Sequence, residues 1–140
     1  MICQDFRPSS SLRAHIKGYN LRHFSFTDQA SLPSKPYAPR PEQQMAFYPR
    51  GQELVEHVSP HKILPRPRSM ITGQYTERTN RLLSGQDFLV LLVDFQPGVL
   101  YRITGIPFQE LTNSFVDAEA IFSKEVRLVN DRLNSTDDYA

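Results

Sequence analysis

The chain has 140 residues, of which 39% are hydrophobic and 11% aromatic, and its formal net charge is +1. That length is typical of one domain, and the apolar content is sufficient for one core. The near-zero charge argues against direct binding of nucleic acid or an anionic membrane, and the single cysteine, Cys3, excludes an internal disulfide framework.

The N-terminal residues lack the features of a secretory leader. Residues 1–19 contain four charged side chains and no apolar h-region. The longest apolar run, residues 88–93, is too short to cross a bilayer. We therefore expect a cytoplasmic protein with no membrane contact.

The first element predicted is a short helix. Leu12, Ile16 and Tyr19 recur at helical spacing after a run of serines, and Gly18 supplies a stop signal. Residues 19–26 then predict a strand that changes face at a bulge near His23. Four prolines mark residues 32–41 as an extended surface loop, because that density disfavours both a helix and a β-ladder.

Seven short strands are predicted after this loop, because apolar or alternating segments are separated by turn signals. They cover residues 45–48, 53–59, 62–64, 69–75, 79–83, 88–95 and 99–104. Two of the turns are predicted at residues 49–51 and 84–85. The even spacing indicates a sandwich or barrel. The run at 88–93 is apolar on both faces, so we expect it at the centre of the sheet.

The pattern becomes helical after residue 104. Pro107 suits the start of a short helix, and Asp117 can cap a turn through residues 118–122. Ser123 can cap a final helix with one apolar face, formed by Phe122, Val126, Val129 and Leu133. The domain is therefore predicted to be β-rich over residues 19–104 and helical over residues 107–134.

Residues 135–138 combine hydroxyl caps with acids, the composition of a helix start. Two interpretations stay open here. The segment is either a frayed polar tail or the beginning of a helix that continues in a longer parent protein.

The sequence contains no recognisable catalytic motif. His57 and His61 have the spacing of helical metal ligands, but Pro60 between them excludes a helix, so two surface histidines on a turn are predicted. The chain also lacks a G-x-S-x-G elbow, a G-x-G-x-x-G loop and a P-loop. We predict no catalytic residue, no metal site, no cofactor and no enzymatic activity.

Several charged residues in the predicted strands are candidate sites. Glu53 and Glu56 fall on opposite faces of one strand and cannot share a proton. Asp94 is a buried-acid candidate that we expect to face a turn amide or Arg102, with a functional role as the alternative. The cations at residues 62–68, 78 and 81 predict a solvated loop.

Aromatic residues supply the candidate pocket. Tyr48, Tyr75 and Phe95 are predicted to line a ligand cavity, with ordinary core packing as the alternative. Leu128 and Arg132 point outward from the predicted final helix and are the candidates for a dimer interface.

Five segments in order also carry a family resemblance. They are residues 8–19, the P-x-G hairpin at 47–54, the strand at 71–74, the F-x-P-G turn at 95–101 and the segment 106–117. Together they resemble the N-terminal regulatory domain of AraC-type transcription regulators over nearly the whole chain. One departure is Arg50, where that hairpin often has an acid.

The resemblance implies a single regulatory domain, residues 1–140, with a cupin-like β-sandwich, a short N-terminal helix and a C-terminal helical segment. Such a domain senses a small-molecule effector, forms a homodimer, or does both. It would control a C-terminal helix-turn-helix domain that is absent from this chain, so DNA would be contacted only through that domain. The alternatives are a stand-alone cupin-like small-molecule-binding protein or enzyme, and a purely structural dimerisation domain.

Overall fold

The computed structural model describes residues 2–26, 34–41, 43–58 and 61–136. The strands in these ranges are β1 Ile2–Phe6, β2 Ile16–Ser25, β3 Ser34–Tyr37, β4 Gln44–Val58, β5 His61–Pro65, β6 Ser69–Thr72, β7 Thr79–Phe95 and β8 Phe115–Asp117. The helices are α1 Val99–Thr104, a 3-10 turn at Phe108–Leu111, α2 Glu119–Phe122 and α3 Lys124–Asn134. The predicted mainly β class with a C-terminal helical segment is confirmed.

The strands form one antiparallel sheet in which β4 and β7 are long enough to serve two halves. The first half has the order β1-β2-β7-β4-β6-β8. In the second half, β3 pairs with the start of β7 and β5 pairs with the end of β4. Side chains from both halves line a common cavity, so the two halves form the two layers of a β-sandwich.

The predicted turns at residues 49–51 and 84–85 are wrong, because each lies inside a continuous strand. The β4–β7 register shifts on both sides of Arg50, which marks bulges. Gly51 and Gly85 have φ angles of +78° and +99° and lie against each other at this bend. Glycine adopts these angles at no steric cost, so the bulges bend both strands without interrupting them.

The first half of the sheet is covered on both sides. One face packs against the C-terminal helices through a cluster that includes Phe47, Ile71, Val93 and Leu111. The other face turns inward through the second cluster, Ala46, Tyr48, Met70, Phe88 and Val90. The central position predicted for residues 88–93 is confirmed, since β7 pairs with β2 on one side and β4 on the other.

The predicted N-terminal helix is wrong. Residues 10–15 form turns, with the amide N–H groups of His15 and Ile16 donating to the carbonyl of Leu12. Ile16 then enters β2, opposite Phe95. The bulge in β2 lies between Ile16 and Gly18, and pairing is regular through His23. Both faces of β2 are covered, and its side chains contact both hydrophobic clusters. Apolar residues on either face are therefore compatible with regular pairing, so no bulge is needed at His23.

The predicted proline-rich loop is partly a strand. Pro36 lies in β3 opposite Asn80 of β7. Among the described residues β3 pairs only with β7, so it is an edge strand, where a missing proline N–H is tolerated. Residues 32 and 33 of the predicted loop, Ser59 and Pro60 of the predicted turn, and residues 137 and 138 of the tail lie outside the described residues.

The strand predicted at residues 99–104 is wrong, because this segment is helix α1. Glycines with positive φ flank it: Gly98 at +82° precedes the helix, and Gly105 at +73° ends it by donating to the carbonyl of Tyr101. Val99 and Leu100 are both buried. In a strand these two successive side chains would point to opposite faces, whereas in a helix both can face the core. The β-branched residues of this segment favoured a strand locally, and burial of its first turn overrides that preference.

The C-terminal helices follow the prediction with one change of face. A 3-10 turn follows Pro107, and the Asp117 side chain accepts a hydrogen bond from the Glu119 N–H at the start of α2. Ser123 precedes α3 but makes no side-chain capping bond. The buried face of α3 contains Val126 and Asn130, whereas Val129 is 37% exposed.

Asn130 explains this change, because it donates a buried hydrogen bond to the Ser69 hydroxyl. A polar residue on the buried face is invisible to a hydrophobic pattern. None of the helices in the described ranges is long and apolar enough to span a membrane.

Candidate ligand-binding pocket

A pocket of about 280 Å³ lies between the two halves of the sandwich. Its walls come from β2, β3, β4, β6 and β7, together with residues that follow β3 and β6. The volume is close to the lower end of the range for small-molecule sites, roughly 300–1,000 Å³. Side-chain alternation along each strand directs every second residue inward, so the same strands build both this pocket and the helix-facing core.

One wall of the pocket is aromatic. The rings of Phe24 and Phe88 stack with their centroids 6.3 Å apart, and the ring of Tyr48 lies 6.0 Å from that of Phe88. Phe88 and Tyr48 are almost fully buried. Contacts of this kind stabilise the wall beyond its burial alone and give it a fixed shape.

A buried charged network closes one part of the pocket. Glu53 is 7% exposed, and its Oε1 lies 3.4 Å from Arg66 Nε and 3.6 Å from Arg81 Nε. One carboxylate therefore faces two guanidinium groups. The predicted solvated loop is wrong for both cations, since Arg66 is 2% exposed and the Arg81 side chain 16%.

The Tyr48 phenol joins this network to the aromatic wall. Arg66 Nη1 donates to Tyr48 Oη at 3.1 Å, and Tyr48 Oη donates to Glu53 Oε2 at 3.5 Å. Burial, with a contribution from the Glu53 carboxylate, raises the pKa of Tyr48 far above its usual range, although Arg66 opposes the shift. The phenol therefore keeps its proton and remains a donor.

Several polar atoms beside the pocket lack a hydrogen-bond partner. Among the described residues these include Tyr75 Oη and Arg66 Nη2, and also Glu53 Oε1, Arg66 Nε and Arg81 Nε, which face one another only at ion-pair distances of 3.4 and 3.6 Å. The Arg81 guanidinium lies 4.0 Å from the centre of the Tyr37 ring and 5.8 Å from that of Tyr75. Stacking holds the flat face of the Arg81 guanidinium against these rings, so its N–H groups point outward from the edge of the guanidinium plane.

A second polar group lies farther along β7. Asp94 lines the pocket and accepts hydrogen bonds from Gln44 Nε2 at 2.6 Å and Asn20 Nδ2 at 3.3 Å. Arg22 Nη2 in turn donates to Asn20 Oδ1 at 3.1 Å. The expectation that Asp94 faces a turn amide or Arg102 is wrong, because β2 and β4 supply its partners from either side.

The structure brings together two of the three residues predicted for the pocket. Tyr48 and Tyr75 line it, and Phe95 lies on the opposite face of β7 in the helix-facing core. Ligand binding by these residues stays a prediction. Sequence reasoning missed the roles of Glu53 and Arg81, although Glu53 shares a strand face with the fully buried Val55, which was a usable signal.

The histidines predicted to lie on a turn are on strands β4 and β5. His61 Nε2 lies 3.3 Å from Glu56 Oε2, and the His57 ring lies 6.5 Å from that of Tyr75. Glu56 and Glu53 point to opposite faces, as expected from their spacing. In the part of the chain that the structure describes, no group of three or more His, Cys, Asp or Glu side chains is placed to hold a metal ion.

Two solved structures are similar in part. The crystal structure of cobalt(II) HppE in complex with Tris buffer is 10% identical with a TM-score of 0.45, over 67% of this chain and 52% of that one. The chain therefore spans about half the length of HppE. A cupin protein from Bacteroides fragilis is 7% identical with a TM-score of 0.45, over 69% of this chain and 78% of that one. These values are too low to assign an activity from either structure.

No curated protein matches the sequence. One family model does, and it covers residues 4–117, from β1 through β8. That range includes every residue of the pocket and ends before α2. The chain therefore belongs to the family described as a domain of unknown function, DUF6597.

Proposed function

We propose that this domain binds a small molecule in the pocket and acts as the regulatory domain of an AraC-type transcription regulator. The ligand would control a DNA-binding module carried by the parent protein. One observation carries the proposal: the pocket wall is connected by direct contacts to the C-terminal helix α3. A sensor needs such a connection, because binding must favour one arrangement of the part that transmits the signal.

The connection begins at Phe88, which lines the pocket and packs against the β4 bulge. A Cβ atom on Gly51 would lie 2.8 Å from Phe88 Cδ2, so the ring and the bulge are in tight contact. The next residue, Asp87, lies with its Oδ2 3.3 Å from Arg50 Nη1. A shift of the Phe88 ring would therefore displace the bulge that carries Arg50.

Arg50 completes the connection to α3. Its Nη2 donates to the backbone carbonyl of Asn134 at 2.7 Å, and its Nε donates to Asn134 Oδ1 at 3.1 Å. Arg50 is the residue at which the hairpin departs from the AraC-type pattern. A basic residue here can bind the end of the helix, which an acid at the same place would repel.

The pocket chemistry supports binding without turnover. Of its two acids, Glu53 is held by two guanidinium groups and Asp94 by two side-chain amides. A general base must reach a substrate proton directly or through one water, and both carboxylates are already occupied by neighbours. We therefore propose a ligand-binding role and no catalytic one.

The proposal is tested with the ¹⁵N-labelled domain and a library of small organic metabolites, followed by NMR. A ligand is expected to shift the amide signals of Val90 in the pocket and of Asn134 at the end of α3 together. In Arg50→Met the pocket signals should still shift while those of α3 no longer follow. A library with no binder would contradict sensing, and binding without any response in α3 would contradict the regulatory role.

We also propose that the domain forms a homodimer through the outer face of α3. Leu128 and Val129 are adjacent apolar residues there, 56% and 37% exposed, and Arg132 follows Leu128 by one turn. Dimerisation would set the spacing of two DNA-binding modules, which is the quantity that a ligand would regulate. The mass of Leu128→Glu in solution, measured by light scattering, tests this part separately from ligand binding.

A further inference from the structure

We infer that the ligand is a small organic anion, a carboxylate with an apolar body, whose charged group is bound by Arg81 and Tyr75. This inference rests on the proposed small-molecule binding in the same pocket. It adds the chemical class of the ligand and the two side chains that select it.

The first argument is the surplus of positive charge and of donors. Among the described residues, Glu53 is the acid that contacts both the buried guanidinium group of Arg66 and the partly buried one of Arg81. A buried charge without full compensation is costly, and a bound anion would remove that cost. Tyr75, only 7% exposed, adds a hydroxyl without a partner among the described residues.

The second argument is where these donors lie. Both Arg81 and Tyr75 line the pocket, whereas Arg66 lies behind Glu53 and does not. The Arg81 guanidinium is 5.8 Å from the centre of the Tyr75 ring. The two side chains therefore offer a fork of N–H groups and a hydroxyl to one ligand group. A carboxylate matches this set because it accepts from several donors at once.

The third argument is the continuity of the apolar wall with this charged end. Phe24 contacts Phe88, Phe88 contacts Tyr48, and the Tyr48 hydroxyl lies 3.5 Å from Glu53, which contacts Arg81. A ligand whose carboxylate meets Arg81 would have its body beside these rings. Lys35, with Nζ 5.3 Å above the Phe24 ring, adds a further cation at the wall.

The experiment compares carboxylates with their neutral amides. The domain is titrated with acetate, hexanoate, benzoate and phenylacetate, each beside the corresponding primary amide, and pocket signals are followed by NMR at constant ionic strength. Hexanoate or phenylacetate should bind at least about tenfold more tightly than its amide, because the amide loses one charge-assisted hydrogen bond. Acetate should bind more weakly than either, since it lacks the apolar body.

Tyr75→Phe is the informative variant. Removing a hydroxyl that has no protein partner should not reduce stability, yet it should weaken carboxylate binding by about tenfold. The amides should be affected less. Tyr101→Phe is the matched control, since Tyr101 is 56% exposed on α1 and outside the pocket lining. Its carboxylate affinity should equal that of the wild type.

Each outcome is decisive for the ligand class. Equal binding of acids and amides, or an unchanged affinity in Tyr75→Phe, overturns the anion inference and leaves small-molecule binding intact. Failure of every carboxylate in the panel also overturns it. The metabolite library then decides the proposed function independently, because a neutral or cationic binder from that library would support sensing without an anion.

Discussion

The guanidinium of Arg50, in the middle of strand β4, donates to the backbone carbonyl of Asn134, the last residue of helix α3, at 2.7 Å. The last carbonyls of a helix lack intrahelical partners and carry the negative end of its dipole. A cation from the sheet therefore satisfies the end of α3. The Arg50 side chain is 17% exposed and also binds Asp87, so solvent screens this contact only partly.

Arg50→Met should lower the free energy of unfolding by about 1–3 kcal/mol, because it removes several charge-assisted hydrogen bonds but keeps the aliphatic stem. Urea unfolding measures the loss. Amide hydrogen exchange should accelerate in the last turn of α3 more than elsewhere in the helix. Arg102→Met is the control, since Arg102 is an exposed residue in the last turn of α1. Equal effects of both substitutions would contradict a specific role for Arg50.

The central strand and the start of α2 followed from local patterns. The apolar run at residues 88–93 has no polar face, so only a central strand could accommodate it, and β7 is that strand. Asp117 is a residue type that commonly caps helices, and its carboxylate accepts a hydrogen bond from the first N–H of α2. Both features are determined by residues that are close together in the sequence, so a local pattern is sufficient to predict them.

Features that depend on distant partners were missed. Residues 49–51 and 84–85 have turn composition, but their two glycines meet across β4 and β7 and form facing bulges. Arg66 follows Pro65 in a basic segment, which predicts a solvated side chain. In the structure it is buried and contacts Glu53 and Tyr48. Local composition does not reveal which opposite charge will lie within reach once the strands pair.

Glu53→Gln should be among the most destabilising substitutions in the chain. It removes a carboxylate that contacts the buried guanidinium group of Arg66 and the partly buried one of Arg81. Breaking such a network by removing one partner costs about 3–5 kcal/mol. Glu56→Gln is the matched control three residues along the same strand, where the side chain is 27% exposed. Its effect on urea unfolding should be far smaller. Similar losses at both positions would argue against the network.

Glu56 should contribute a pH-dependent part of the stability. Hydrogen bonds from Asn80 and then His61 hold the pKa of its carboxyl below the usual value of 4.5. A carboxyl with a lowered folded-state pKa stabilises the protein above its unfolded pKa, and this contribution disappears as the pH falls through the folded value.

The unfolding free energies of the wild type and Glu56→Gln should therefore differ more at about pH 6 than at about pH 3. Urea titrations at the two pH values measure the gap. A gap of the same size at both would contradict the assignment.

Gly73 and Gly98 should respond differently to substitution. A Cβ on Gly73 would lie 2.7 Å from Leu111 Cβ and 2.9 Å from the Leu111 carbonyl oxygen, so Gly73→Ala should cost about 1–3 kcal/mol from overpacking. Gly98 has open space but a φ of +82°, so Gly98→Ala should cost about 1 kcal/mol from backbone strain. Asparagine tolerates this φ, so Gly98→Asn should recover stability, whereas Gly73→Asn should be worse than alanine.

The outer face of α3 should determine the mass of the protein in solution. Leu128 is 56% exposed, and Arg132 lies one turn further on. In a two-fold dimer each substitution occurs twice in the same interface, so Leu128→Glu would place like charges close together and favour the monomer. Light scattering after size exclusion, over a range of concentrations, measures this change, with Arg132→Glu as a second probe of the face.

Ile63→Glu provides the control for that measurement. Ile63 is 49% exposed on strand β5, at the other half of the sheet, so the added charge is comparable but lies off α3. The wild type and Ile63→Glu should keep the dimer mass while Leu128→Glu loses it. A dimer that survives Leu128→Glu, or a wild type that stays monomeric at high concentration, would exclude α3 as the interface. Ligand sensing would then have to act within one copy of the chain, through Arg50 and the end of α3.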